Sequence, residues 1–341
     1  MHIARMTINV AILGASGFVG AELLRLCAQH PQLAPARLFG DSQAGQRLAA
    51  VHPHLAPAYP TLTVERFGEA ALDGVDLVFA ALPHGESQKV APLILARGIP
   101  FVDLGADFRL DTAEEYQLWY NEPHQRPELL DQFVYGIPEL NRERIKGAKA
   151  VAAAGCYPTS AILALKPLVD AGAIDPRSII VDAASGVSGA GKGLKEATHF
   201  NTVDENFSAY GLLNHRHTAE MEMALGGTVL FTPHLAPMNR GILATCYATS
   251  TSDVDPLELL AKAYADEPFV HVSETLPSTK WTLGSNAVHL TARRDPRTGR
   301  VVALAALDNL VKGAAGQMIQ CANLMLGFEE TAGLPNCGVW P

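Results

Sequence analysis

At 341 residues the chain is too long for one small core and suits two domains. Hydrophobic residues make up 48% and charged ones 18%, a balance that can bury a core and excludes a disordered chain. A net charge of −9 disfavours nucleic acid or an anionic membrane as partner, since either needs a basic face, but leaves room for a local basic pocket that takes a small anionic substrate.

The chain opens Met1-His2-Ile3-Ala4-Arg5-Met6, without the charged stretch, long apolar segment and cleavage site of a signal peptide. No apolar run reaches the roughly 18 to 20 residues of a membrane span. The expectation is a soluble, cytoplasmic protein. Residues 7–13 read as a buried strand and 17–29 as a helix with Val19, Leu23, Leu24 and Cys27 on one side. Apolar runs at 36–40, 75–82 and 100–105, with a helical stretch near 86–96, continue the alternation. That pattern predicts a parallel sheet covered on both faces, a Rossmann-type α/β domain.

The character changes near residue 150. After a strand at 150–154 and a helix from about 158, longer strands are expected at 178–184, 228–235, 241–250, 285–293 and 300–307. Several alternate in polarity, as in Ala287-Val288-His289-Leu290-Thr291-Ala292-Arg293. Alternation predicts one wet face, hence an α+β domain with a mixed, largely antiparallel sheet. A helix over about 312–326 is the last strong element.

Between the first strand and helix lies Gly14-Ala15-Ser16-Gly17-Phe18-Val19-Gly20. Its glycines give a tight turn, let backbone approach a pyrophosphate, and aim helix-terminal amides at the anion. The plainer alternative is an ordinary strand–helix turn, so position after the first strand is what favours phosphate. At the end of the second strand, Asp41 suits the ribose hydroxyls of NAD, while Ser42 and Arg47 suit the 2′-phosphate of NADP. These residues leave both coenzymes open.

Ala154-Gly155-Cys156-Tyr157-Pro158-Thr159-Ser160 carries the most information. A strand ends at Gly155, and Pro158 fits a first helical position, so Cys156 stands just before a helix N-terminus that favours a thiolate. A thiol of pKa about 8.5 is only about 3% ionised at pH 7. Lowering that to about 6.5 ionises roughly three quarters of it. The same amides could hold an oxyanion. The five cysteines are scattered without a CxxC pair, which suits reduced thiols. Cys27, Cys246 and Cys321 read as small core residues and Cys337 as a tail residue.

A nucleophilic cysteine needs a base, and Asn214-His215-Arg216-His217-Thr218-Ala219-Glu220 supplies candidates in His217 and His215. If a helix starts there, Glu220 shares a face with His217 and could orient it. A metal reading of His-x-His lacks a third ligand, so no metal is expected. His52, His54 and His124 lie in Pro-rich loops and are expected in solvent. Ser185-Gly186-Val187-Ser188-Gly189-Ala190-Gly191-Lys192 offers amides, hydroxyls and a cation for an anion, or is simply a flexible hairpin. Arg109 could clamp a carboxylate or pair with Asp107 or Asp111.

Taken together, these segments resemble the N-acetyl-gamma-glutamyl-phosphate reductase family, arginine-pathway relatives of aspartate-semialdehyde dehydrogenase. The resemblance runs essentially end to end. It also takes in Leu82-Pro83-His84-Gly85, Asp103-Leu104-Gly105-Ala106-Asp107-Phe108-Arg109, Tyr135-Gly136-Ile137-Pro138-Glu139 and Asp308-Asn309-Leu310-Val311-Lys312-Gly313-Ala314-Ala315-Gly316-Gln317. Gly155-Cys156-Tyr157-Pro158-Thr159 is the specific element.

The resemblance implies a nucleotide domain of residues 1–154 plus 312–341, with the C-terminal helix packed back on it, and a catalytic and oligomerisation domain of 155–311. It implies NADPH as reductant, a homo-oligomer (tetramer or dimer), and Cys156 attacking an acyl phosphate to form a thioester. Coenzyme contacts would come from the glycine loop, Ser42, Arg47, Pro83, His84, Gly85, Ser188, Gly189 and Asn309. Substrate contacts would come from Arg109, Ser185, Lys192, Arg216 and Glu220. A related acyl phosphate, such as an aminoadipate analogue of a lysine route, and a cysteine hydrolase or acyltransferase are the alternatives.

Overall fold

The computed structural model describes residues 7–341, so the leader-free reading of residues 1–6 lies outside it. Two compact units divide the chain. The first gathers residues up to Ala113, His124–Ala153 and Ala314–Leu334; the second gathers Glu114–Pro123, Ala154–Gly313 and Pro335–Pro341.

In the first unit seven strands, β1 (Ile8–Leu13), β2 (Leu33–Phe39), β3 (Val64–Glu65), β4 (Leu77–Ala80), β5 (Phe101–Asp103), β6 (Phe133–Gly136) and β7 (Ala150–Ala153), form one sheet in the order β3-β2-β1-β4-β5-β7-β6. Every pairing is parallel. All residues of β4 and β7 are buried, as strands covered on both faces must be. β2 begins earlier than the apolar run at 36–40 suggests. Pro35 interrupts the strand signal because it has no amide for the ladder, and the β1–β2 register shifts between Val10 and Ala11, where Val10 faces Pro35. Chain order reverses between β1 and β4, so their carboxyl ends frame the crevice where open parallel sheets bind ligands. The core includes Phe108 stacked on Phe133, ring centroids 4.1 Å apart.

Gly316–Leu326 completes this unit as a helix buried along almost its whole length. Gln320 and Asn323 bind it to the rest of the unit. Gln320 donates to Glu139 and Glu330, and Asn323 Nδ2 donates to the Glu330 and Ala332 carbonyls while its Oδ1 meets His30 Nε2 at 3.0 Å.

The second unit holds β8 (Ile179–Gly186), β9 (Ser208–Ala209), β10 (Val229–Ala236), β11 (Ile242–Thr249), β12 (Val270–Val272), β13 (Val288–Asp295) and β14 (Arg300–Leu307), in the order β12-β13-β14-β11-β8-β10-β9. β8–β10 and β12–β13 are parallel and the other pairings antiparallel, which gives the mixed, largely antiparallel sheet the alternation predicted. Along β11, Ile242, Ala244, Cys246 and Ala248 are buried on one face, and the helix Cys156–Asp170 packs on β11 and β14. Burial pushes the thiols of Cys27 and Cys246 up to about 12, which keeps both as inert core residues. All five cysteines are free.

Candidate active site

In the first unit the glycine turn is built as its spacing requires. Gly14 has φ +82°, and a Cβ there would lie 2.3 Å from the Ala81 carbonyl oxygen; a Cβ on Gly20 would lie 2.4 Å from the Gly14 oxygen. Both positions therefore exclude side chains. Gly17 differs, since an added Cβ would meet only the Gly14 oxygen at 3.4 Å, leaving its outer side open. The amides of Gly14 and Ala15 both donate to the Phe39 carbonyl, which ties the turn to the end of β2. The helix Phe18–Cys27 then starts with no side-chain cap and no acidic residue in its first turn, so its leading amides are available to an anion. Phe18 is exposed, and a Cβ added on Gly40 would lie 2.9 Å from Ser16 Oγ. These residues fit the pyrophosphate of a dinucleotide.

His52 braces this turn, with Nε2 3.0 Å from the Ala15 carbonyl oxygen. His52 and His124, expected in solvent, are in fact buried, because each imidazole finds a main-chain carbonyl that a Pro-rich composition does not reveal. Ser42 and Arg47 are exposed on the loop after β2. Asp41, also exposed, lies 4.0 Å from the guanidinium of Arg66, which follows β3. Arg66 gave no signal in the sequence, since only strand pairing brings it to Asp41.

At the carboxyl ends of β4 and β5, His84 Nδ1 lies 3.0 Å from Asp107 Oδ1. Asp107 is sealed from solvent and also accepts the amides of Gly85 and Gln88. Arg109 is not an open clamp here; it is buried and donates from Nη2 to the Leu104 carbonyl at 2.7 Å. Pro83 is exposed, and Gly85 has φ +83° with nothing within 4 Å of an added Cβ.

In the second unit Cys156 is the first residue of the helix Cys156–Asp170, with Gly155 as an extended N-cap and no side-chain cap. The helix begins two residues ahead of the start that Pro158 suggested, which brings the thiol into the first turn rather than ahead of it. Gly155 donates its amide to Glu220 Oε2 at 2.9 Å. Glu220, fully buried, comes from the helix His217–Leu225, and its Oε1 lies 3.9 Å from His217 Nε2. The expected shared face is therefore present, and Glu220 also holds the residue before the cysteine. Gly313 abuts Cys156, for a Cβ on Gly313 would come within 2.7 Å of the Cys156 Cβ.

The two histidines differ in surroundings. His215 is packed among Tyr157, Tyr210, Phe231 and His217, and its Nδ1 accepts the His217 amide. Burial, aided by the neighbouring Arg216 charge, lowers its pKa to about 4. His217 keeps part of its ring in solvent. Burial raises both the Tyr157 and Tyr210 hydroxyls, Tyr210 to about 12, and keeps them neutral donors; Tyr157 donates to the His234 carbonyl and Tyr210 to Tyr157.

Ser185, Ser188, Gly189 and Asn309 form one group. Asn309 Nδ2 donates to Ser188 Oγ at 2.9 Å, its Oδ1 accepts the Gly241 amide, and a Cβ added on Gly189 would lie 3.0 Å from Ser185 Oγ. Ser185 itself is buried and donates to the Gly186 carbonyl. Lys192 is exposed, and Arg216 stacks over the Tyr120 ring at 5.1 Å. Among the described residues no helix is long and apolar enough to cross a membrane, and no group of three or more His, Cys, Asp or Glu side chains could hold a metal.

Residues 9–148 match the family described as semialdehyde dehydrogenase, NAD binding domain, and residues 156–309 match semialdehyde dehydrogenase, dimerisation domain. The chain is 48% identical to a protein of Symbiobacterium thermophilum and 49% identical to one of Desulforudis audaxviator, both named N-acetyl-gamma-glutamyl-phosphate reductase. Each alignment covers 98% of this chain and 100% of the relative. Among solved structures, aspartate semialdehyde dehydrogenase II of Vibrio cholerae is similar with a TM-score of 0.71 at 19% identity, covering 94% of this chain and 99% of that one. The aspartate semialdehyde dehydrogenase of Candida albicans, solved with NADP, gives 0.66 at 15% identity over 93% and 98%. At such identities the likeness is one of fold.

Proposed function

The chain belongs to the semialdehyde dehydrogenase family and, within it, to the N-acetyl-gamma-glutamyl-phosphate reductases, and from that premise we propose how its own residues carry the reaction. The enzyme reduces N-acetyl-glutamyl 5-phosphate to N-acetyl-glutamate 5-semialdehyde and phosphate with a pyridine nucleotide, a step of arginine biosynthesis.

Cys156 is the nucleophile. Its sulfur attacks the acyl carbon while His217 takes the thiol proton, the carbon–oxygen bond to phosphate breaks, and a thioester remains on the enzyme. The bound coenzyme supplies a hydride for the thioester carbon. The resulting hemithioacetal breaks its carbon–sulfur bond, and His217 returns the proton to the departing sulfur. The first-turn amides of the helix Cys156–Asp170 steady the oxyanion at each addition. The observation that carries this reading is Cys156 at the head of an uncapped helix, with the preceding amide fixed by Glu220 and His217 beside that carboxylate. His215 is the packing partner rather than the base, because a ring that stays neutral down to about pH 4 is a poor proton carrier at neutral pH.

NADP is the coenzyme of this reading. The cations Arg47 and Arg66, with Ser42, are suited to a 2′-phosphate, and Arg66 lies near enough to offset the charge of Asp41. The coenzyme is chiefly the task of the first unit and the acyl chemistry that of the second, which also takes Glu114–Pro123 and Pro335–Pro341. A homo-oligomer in the cytoplasm completes the proposal. Free thiols suit that compartment, and Leu194, Phe200, Leu212 and Leu213 expose apolar surface in the segment matched to a dimerisation domain.

The test follows nicotinamide absorbance with N-acetyl-glutamate 5-semialdehyde and phosphate, with NADP⁺ and NAD⁺ in parallel. Phosphate-dependent reduction faster with NADP⁺ is expected; turnover that ignores phosphate would overturn the acyl-phosphate mechanism, and preference for NAD⁺ the coenzyme assignment.

A further inference from the structure

We propose that Asp308 is a positioning residue of the acyl-transfer reaction. Its sealed carboxylate clamps the turn 309–313, which backs Cys156, to the turn at Arg240 and Gly241 and to the loop at Gly284, and so sets where the sulfur stands. The inference rests on the reading of Cys156 as the nucleophile and adds the group that steadies it from behind.

Both oxygens of Asp308 are in use. Oδ1 accepts the amides of Leu310 at 2.8 Å and Val311 at 3.2 Å, as a helix cap would, and the Asp308 carbonyl accepts the Gly313 amide at 2.9 Å. Residues 308–313 are thereby wound into one tight turn. At its far end stands Gly313, on which a Cβ would lie 2.7 Å from the Cys156 Cβ. Oδ2 accepts the amide of Gly284 at 2.7 Å and lies 3.5 Å from Nη1 of Arg240. The next residue, Asn309, accepts the Gly241 amide at 2.8 Å. Two consecutive residues thus hold two consecutive residues of the connection between β10 and β11.

A cap alone does not need this arrangement. Asp255 caps the helix Pro256–Ala263 through the Leu257 amide from an exposed position. Asp308, by contrast, is 0% exposed, and its guanidinium partner 27%. A buried ion pair adds little stability over apolar side chains of the same volume, so what it contributes is one fixed geometry.

That geometry reaches the rest of the site. Gly186 donates its amide to the Gly241 carbonyl and Ser188 donates its own to the Asn239 carbonyl. A Cβ on Gly186 would lie 2.7 Å from the backbone nitrogen of Arg240, so the serine segment presses directly on the clamped turn. Removing the carboxylate releases the amides of Gly284, Leu310 and Val311 together. The turn behind Cys156 can then relax, and a reacting atom misplaced by about 1 Å loses about 100-fold in rate.

The experiment compares full-length wild type with Asp308→Asn and Asp308→Ala, well below each melting transition, with circular dichroism to verify folding. Read are kcat and KM for N-acetyl-glutamate 5-semialdehyde with phosphate, NADPH affinity, and the rate at which iodoacetamide alkylates Cys156, located by peptide mass spectrometry. Expected is a kcat about 100-fold lower in Asp308→Ala, with KM and NADPH affinity within a factor of about three of wild type. Asp308→Asn keeps a carbonyl for the Leu310 and Val311 amides and should lose only about 10-fold. Alkylation of Cys156 should slow in the same order, as the sulfur leaves the first-turn amides. Lower melting temperatures with wild-type kcat and alkylation would overturn the proposal, and so would a loss confined to KM or to NADPH binding. Where Asp308→Ala does not fold, Asp308→Asn decides. Should neither fold, Arg240→Met, which leaves the carboxylate its amides, must lower kcat by about 10-fold at unchanged KM, and a wild-type kcat there would overturn the clamp. Wild-type enzyme that keeps full turnover once Cys156 is alkylated would overturn the reading of that residue as nucleophile and this inference with it.

Discussion

Glu220 reaches across 65 positions of sequence to accept the amide of Gly155 at 2.9 Å, so a buried carboxylate fixes the residue immediately before the cysteine. Removing the acceptor should strand a buried donor, at about 1 to 3 kcal/mol. Glu220→Ala is expected to lower both thermal stability and kcat, while Glu220→Gln, which keeps a carbonyl in place, retains more of each. Thermal melts and initial rates on the two variants check this, and equal losses would contradict it.

Cys156→Ser should cut turnover by at least about 1,000-fold while NADPH binds as to wild type. Rates with phosphate and semialdehyde, beside a binding titration, separate the two. Substantial retained activity would exclude a thioester.

The two histidines should part company. His217→Asn is expected to lower kcat by about 100- to 10,000-fold with little change in stability. His215→Phe should keep far more activity and alter the pH dependence of folding. With a folded pKa of about 4 against about 6.5 unfolded, His215 favours the native state above pH 6.5, and that contribution drains away as the pH falls toward 4. The full span is on the order of 3 kcal/mol. Urea unfolding of wild type and His215→Phe between those pH values should show a shallower decline in the variant.

Gly313→Ala should disturb the nucleophile from behind. Its new methyl would fall 2.7 Å from the Cys156 Cβ, closer than carbon atoms tolerate, so the thiol must shift. Because a small misplacement of a reacting group costs about 100-fold, kcat should fall by about that factor with KM nearly unchanged. Steady-state kinetics decide it, and a silent substitution would mean that the first turn of the helix Cys156–Asp170 yields easily.

Arg66→Ser should weaken NADPH use by about 10-fold in kcat/KM while leaving NADH use within a factor of about two. Equal effects on both coenzymes would remove Arg66 from the choice between them.

What the sequence disclosed was local. The glycine turn, Cys156 at a helix N-terminus, and His217 with Glu220 three positions on can each be read inside a few residues, because turn and helix geometry fix neighbours at that range. The alternation in β11 likewise carries its one-sided burial on its face, whereas in β13 Thr291 on the polar face is buried as well. The partnerships that complete the sites were not legible. His52 under Ala15, Arg66 beside Asp41, Asp107 behind His84 and Gly155 on Glu220 join elements that only the sheet order and packing bring together. His52 and His124 were misjudged for the same reason, since loop composition says nothing of which carbonyl a loop meets.

The helix Gly316–Leu326 gives the chain an order of assembly. It packs on β5, β6 and β7 and carries buried polar groups that find their partners in Glu139, His30 and the segment at Glu330. Most of the second unit is continuous in sequence, whereas the first lacks this wall until nearly the last residues have been made. On the ribosome the first unit therefore holds a sheet whose seven strands are all made but whose covering helix is missing while most of the second unit is synthesised. A truncation that removes only the final helix should leave the nucleotide unit, not the acyl unit, as the one that chaperones and proteases seize.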